Sequence, residues 1–205
     1  VSNVPAYDMS DVATTAVTLA LNLLRGAVTY NDRVRADIVG GWSWDGPPIL
    51  RRVRGQRFGV VGCGRLGPMA ALRARAFGMA VGYFDPYLPV GHDITMEMRR
   101  FGSMEELLGW ADVVTLHTPL NDETWGLIGN DAVAAMKPGM ILINAARGGL
   151  VDTDALYQGL KSSQIAGCGI DAFGHDHDDG HRGTLRIDRV VGVLEGAARP
   201  QERGF

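Results

Sequence analysis

The sequence predicts an α/β protein built on a doubly wound parallel sheet, and three observations carry that expectation. Short runs that are apolar throughout alternate with helix-like stretches, as strands buried on both faces of a parallel sheet require. One of these runs, Phe58-Gly59-Val60-Val61, breaks into Gly62-Cys63-Gly64-Arg65-Leu66-Gly67, a G-x-G-x-x-G turn between strand and helix. Polar landmarks follow the strand-like runs at their C-terminal ends, the edge where open α/β sheets bind ligands.

Composition narrows the function classes. With 46% apolar and 21% charged residues in 205, the chain reads as an ordinary globular protein with a core. Lys plus Arg number 20 against 23 Asp plus Glu, a net charge of −3, so no basic footprint points to nucleic acid. Cys63 and Cys168 are flanked by glycines and lack metal-ligand spacing, which suits a reduced cytoplasmic setting. Residues 12–24 lack charge but are too few to span a bilayer, and Asp8 and Asp11 stand where a signal peptide is basic. No membrane partner or targeting signal is therefore expected. The chain starts at Val1 and enters a structured pattern almost at once, so a piece of a longer protein is expected.

The elements follow in order. Residues 1–7 read as extended, with Pro5 disfavouring helix at Val4. Ser10 or Asp11 caps a helix to about Arg25, closed by Gly26, with Val12, Ala16, Leu19, Ala20, Leu23 and Leu24 on one apolar face. Residues 29–54 read as an irregular connection with Gly40-Gly41, Trp42, Trp44 and Pro47-Pro48, either an interaction arm or a loop folded over its own domain. Strands are predicted at 58–61, 80–84, 112–116, 140–144, 165–170 and 190–193. Helices are predicted at 66–77, 104–108 after Ser103, 131–136, and 152–160 with Thr153 as cap. Four segments result: a leading segment with linker helix (1–30), a connecting arm (31–55), a Rossmann-type domain (56–194) and a divergent tail (195–205).

The glycine turn has a specific chemistry. Gly62 makes the tight turn, Gly64 lets the backbone approach a pyrophosphate, and Gly67 lets helix and strand pack closely. The helix N-terminus then faces the anion, and Arg65 can pair with it. Asp85 lies 18 residues past Gly67, where the fingerprint places an acid on the ribose hydroxyls; its charge repels a 2′-phosphate and favours NAD over NADP.

Longer motifs sharpen this. Asn3-Val4-Pro5, the run 62–67, His117-Thr118-Pro119-Leu120, Met136-Lys137-Pro138-Gly139, Asn144-Ala145-Ala146-Arg147-Gly148-Gly149-Leu150-Val151-Asp152 and Gly169-Ile170-Asp171-Ala172-Phe173 occur in order. Together they resemble the cofactor domain of NAD-dependent D-isomer-specific 2-hydroxyacid dehydrogenases, especially the branch similar to C-terminal binding proteins. The resemblance implies NAD held by Gly62, Gly64, Arg65, Leu66, Gly67 and Asp85. It adds Thr118 and Pro119 against the ribose and nicotinamide, Ala145, Ala146 and Arg147 beside them, and Asp171 on the carboxamide. Arg147 is implied as the substrate-binding and catalytic arginine, a planar guanidinium suited to a keto acid's carboxylate or carbonyl. The implied reaction is hydride transfer between nicotinamide and a small 2-hydroxy or 2-keto acid, in a homodimer.

The sequence also departs from the family. Asp176 followed by His177 stands where the family has Glu-Pro, the acid that orients the catalytic histidine. Leu194-Glu195 stands where Pro-His is expected, and no histidine follows His181, so the general acid/base is missing. The cluster His175, His177, Asp178, Asp179 and His181 reads as a Gly-containing loop with no functional metal site. These departures raise an alternative function, a non-catalytic NAD(H)-sensing dimerisation or corepressor-like module.

Overall fold

The computed structural model describes residues 9–42, 49–89, 91–171 and 190–192. Asn3-Val4-Pro5, Trp44, Pro47-Pro48, Asp176, the histidine cluster, residue 193 and Leu194-Glu195 lie outside the described residues. Helix α1 (Met9–Arg25) carries the expected apolar face and ends at Gly26, whose φ of +62° breaks the helix. The chain then re-forms a helix, α2 (Ala27–Ala36), followed by a 3-10 turn at Gly40–Trp42. This corrects the irregular connection expected from residue 29. The segment has no apolar stripe to announce it, because α2 buries none of its residues, and periodicity reports burial rather than helix as such.

The remaining elements are β1 (Arg57–Val61), α3 (Leu66–Ala76), β2 (Ala80–Phe84), α4 (His92–Met96), β3 (Arg99–Arg100), α5 (Met104–Trp110), β4 (Val113–Leu116), α6 (Asn130–Ala135), β5 (Met140–Asn144), α7 (Thr153–Lys161), β6 (Ile165–Ile170) and β7 (Val190–Gly192). The one-turn α4 and two-residue β3 were not expected; neither is long enough to show a period. Ser103 caps α5 as expected, accepting the Glu106 N–H at 3.2 Å. The cap of α7 is Asp152, one residue before the Thr153 expected, and its carboxylate accepts the Ala155 N–H at 2.8 Å.

All pairings are parallel, in the order β3-β2-β1-β4-β5-β6-β7. This is the doubly wound arrangement, whose direction reverses between β1 and β4. Helices cover both faces. On one, α1 and α3 pack with Phe58, Val60 and Ile143 beneath them. On the other, α5, α6 and α7 pack over Val114, Leu116 and Leu142. Strands β4, β5 and β6 are buried at every residue, which explains their unbroken apolar composition. Among the described residues no single helix is long and apolar enough to cross a membrane.

Candidate functional site

The site begins where β1 ends. Gly62 has φ +86°, and a Cβ there would lie 2.9 Å from the His117 carbonyl and the Thr118 nitrogen. The ends of β1 and β4 therefore touch at the reversal point, which only a glycine permits. A Cβ on Gly67 would lie 2.5 Å from the Gly62 oxygen, so α3 packs directly on the turn. Gly64 differs from both: a Cβ there would meet nothing within 4 Å. Two of the three glycines are filled by the protein's own backbone and the third faces open space, as a turn that receives a ligand requires. Arg65 precedes α3 and Leu66 opens it, so the first N–H groups of an 11-residue helix face that space.

The end of β2 is tied to this turn. Asp85 accepts the Cys63 N–H through Oδ2 at 2.8 Å and the Tyr87 N–H through Oδ1 at 3.0 Å. Burial, reinforced by the Asp85 charge, pushes the Cys63 thiol up to about 12, so it stays protonated. Arg100 fixes the following loop, donating to Leu88 O at 2.8 Å and to Pro89 O at 3.0 Å. From that loop the Tyr87 hydroxyl donates to Glu123, which raises the tyrosine pKa.

Between these loops lies a cleft of about 410 Å³, within the range of small-molecule sites. Gly62, Gly64, Asp85, Thr118 and Pro119 line it, together with apolar walls such as Val61 and Phe84. Thr118 Oγ1 and His117 Nδ1 are buried there without a hydrogen-bond partner. Buried polar atoms are seldom left unpaired, so both suit a hydrogen-bonding ligand. His117 Nε2 lies 3.1 Å from Thr115 Oγ1, and burial lowers the imidazole pKa from 6.5 to about 4, keeping the ring neutral.

The other expected residues stand outside this cleft but on the same sheet edge. Asn144, at the end of β5, donates to Arg147 O at 2.8 Å and accepts the Ala146 N–H at 3.1 Å, shaping the Ala145-Ala146-Arg147 turn. The Arg147 guanidinium donates to Ala146 O at 2.8 Å. The Asp171 N–H reaches Asn144 O at 3.0 Å, placing Asp171 beside that turn at the end of β6. Asp85, Gly62, Thr118, Arg147 and Asp171 thus follow five adjacent strands, a reach of about 19 Å at roughly 4.8 Å per strand. The cleft lies at the Asp85 end of this row, and Arg147 and Asp171 stand at the other end.

His117, Tyr87, Arg100 and Glu123 were not expected as site residues. His117 could have been found, because it opens the His-Thr-Pro run. Arg100 and Glu123 reach the site through the folding of short or irregular segments that carry no pattern.

Comparisons with known proteins agree with this fold. The family model for the D-isomer specific 2-hydroxyacid dehydrogenase NAD-binding domain matches residues 17–192. The chain is 33% identical over 188 residues to C-terminal-binding protein 1 of Caenorhabditis elegans, covering 86% of this chain and 24% of that protein. It is 34% identical over 200 residues to D-3-phosphoglycerate dehydrogenase of Methanocaldococcus jannaschii, covering 97% and 37%. It superimposes with a TM-score of 0.77 on an NAD-complexed D-isomer specific 2-hydroxyacid dehydrogenase of Lactobacillus delbrueckii, at 30% identity and over 93% of this chain and 60% of that one. The chain therefore spans about a quarter to two fifths of the length of these two curated relatives.

Proposed function

The chain belongs to the D-isomer specific 2-hydroxyacid dehydrogenases, as their NAD-binding domain, and from that premise we propose that it serves hydride exchange between NAD(H) and a small 2-hydroxy or 2-keto acid. The observation that carries this reading is the single row of Asp85, the glycine turn, Thr118, Arg147 and Asp171 along five strand ends. Asp85 would accept the adenosine ribose hydroxyls, and the turn with the N-terminus of α3 would hold the pyrophosphate, with Arg65 beside it. Thr118, Pro119, Ala145 and Ala146 would flank the nicotinamide half, and Asp171 would accept from its carboxamide. The nicotinamide, when bound, supplies or accepts the hydride. Arg147 would hold the acid's carboxylate and polarise its carbonyl, a use for which a planar, always charged donor fork is suited.

Proton transfer at the substrate oxygen is where this chain departs. Asp176 could orient a histidine, but Glu195 stands in the histidine's place, and an ionised carboxylate has no proton to donate to a keto acid. Keto-acid reduction with NADH is the test: turnover that Arg147→Ala abolishes establishes catalysis, whereas NADH binding without turnover removes it.

A second reading, a non-catalytic NAD(H)-sensing module that acts by homodimerisation, is favoured by the arm. No residue of helix α2 is fully buried, and Ile38, Val39 and Trp42 beyond its end are 73%, 86% and 76% exposed. Three large apolar groups left in water at the tip of an arm suit a protein surface.

A further inference from the structure

Arg147 stands at the start of a turn that the fully buried Leu150 anchors at its far end only. Gly148–Leu150 is a single 3-10 turn, and two of its three residues are glycines. Asn144 grips it from the buried side. The other side is covered by Trp125 and Leu120. A Cβ on Gly149 would lie 2.8 Å from Trp125 Cζ3 and 3.0 Å from Leu120 Cδ2, so both side chains press on its bare main chain. Hydrogen bonds extend the contact, from the Gly126 N–H to Gly149 O at 2.8 Å and from the Ile128 N–H to Leu150 O at 2.9 Å.

Leu120 and Trp125 belong to the loop that also builds the nucleotide cleft. Thr118, Asn121, Thr124 and Leu127 of that loop line the cleft. Thr124 stiffens it, its hydroxyl donating to Pro119 O at 2.6 Å and accepting the Asn121 N–H at 2.9 Å. The loop is thus a braced piece with the cleft at one end and the Arg147 turn at the other. Trp125 is 54% exposed, and the covered part of its indole includes the edge that lies against Gly149. There it limits how far the backbone beneath it can move.

We propose that Trp125, pressed on Gly149, is a positioning residue for Arg147, and that through Leu120 and Trp125 the cofactor loop sets the arginine for the acid's carboxylate. This rests on Arg147 as the acid-binding residue. It adds a specific consequence: misplacing the turn weakens the acid while leaving the nucleotide untouched.

The test follows the Arg147 Nε–Hε resonance, identified by its loss in Arg147→Lys, as NADH and then oxalate are added to the full chain. Oxalate is expected to shift it in the wild type. Trp125→Ala is expected to move the resonance before any ligand is added and to weaken oxalate at least about tenfold, with NADH affinity within about twofold. Trp125→Phe restores both, and Gly149→Ala, whose methyl must displace Trp125 or Leu120, reproduces the defect. An unmoved resonance with wild-type oxalate affinity in Trp125→Ala overturns the proposal. So does a parallel loss of NADH affinity and thermal stability that phenylalanine does not rescue. Oxalate affinity unchanged in Arg147→Lys removes the acid-binding role of Arg147 by itself, and the resonance in ligand-free Trp125→Ala still decides whether Trp125 positions the arginine.

Discussion

The Asp85 carboxylate accepts the main-chain N–H of Cys63 at 2.8 Å, so the acid at the end of β2 is also a strut of the glycine turn at the end of β1. Its other oxygen holds the Tyr87 N–H at 3.0 Å. One residue therefore shapes the turn and presents its remaining lone pairs to the cleft. Asp85→Ala should lower NADH affinity at least about tenfold, because bonds to a charged acceptor are worth about 1.5–3 kcal/mol each. It should also lower the melting temperature. Asp85→Asn, which keeps an acceptor for the turn but loses the charge, should retain more stability and narrow the preference for NADH over NADPH. Fluorescence titration with both cofactors checks this; an unchanged ratio in Asp85→Asn counts against a charge-based choice.

Gly64 and Gly67 should separate binding from folding. A side chain at 64 meets no protein atom within 4 Å, whereas one at 67 collides with Gly62 O. Gly64→Val should thus abolish NADH binding while changing stability by less than about 1 kcal/mol. Gly67→Ala should destabilise the fold by about 1–3 kcal/mol through overpacking. Denaturant melts beside cofactor titrations measure both. Unchanged NADH affinity in Gly64→Val would sink the assignment of the turn.

His117 gives stability a pH dependence with a definite sign. Its folded pKa of about 4 lies below the ordinary 6.5, so the unfolded chain takes up a proton first as pH falls. Its contribution is complete above pH 6.5 and is lost as pH falls towards 4. Between pH 7.5 and 4.5 the wild type should lose about 2.5 kcal/mol more than His117→Gln, at 1.36 kcal/mol per pH unit for one proton. Urea unfolding of both proteins at the two pH values compares them directly, and parallel losses would contradict the buried, neutral ring.

The arm supplies a test of assembly. Trp42→Ser and Val39→Ser, at positions that are largely exposed, should leave the melting temperature of dilute protein within a few degrees. They should shift a dimer towards monomer in sedimentation, by about tenfold or more in dissociation constant, as loss of an aromatic anchor does. If NADH tightens the wild-type dimer and not the variant, the sensing module gains support; a wild-type monomer at high concentration removes it.

Much of this molecule was legible in its residues because buried parallel strands are apolar at every position. Strands β2, β5 and β6 fall where their apolar runs lie, and the glycine turn and Asp85 announce themselves by spacing. What stayed hidden has a common cause. Helix α2 buries no residue, and α4 and β3 are shorter than a readable period, so no pattern marks them. Tyr87, Arg100 and Glu123 matter through main-chain geometry and partners distant in sequence.

By itself, then, the sequence determined the kind of fold, the glycine turn and the order of polar residues along the chain, since local composition and spacing encode burial and backbone freedom. Only the tertiary structure decided that the same residues form one row about 19 Å long, because strand order is set by packing between distant segments. It also decided that Gly64 alone of the three glycines faces open space, and that Trp125 presses on the turn carrying Arg147. Those are contacts between residues far apart in the chain, and no spacing along a chain records them.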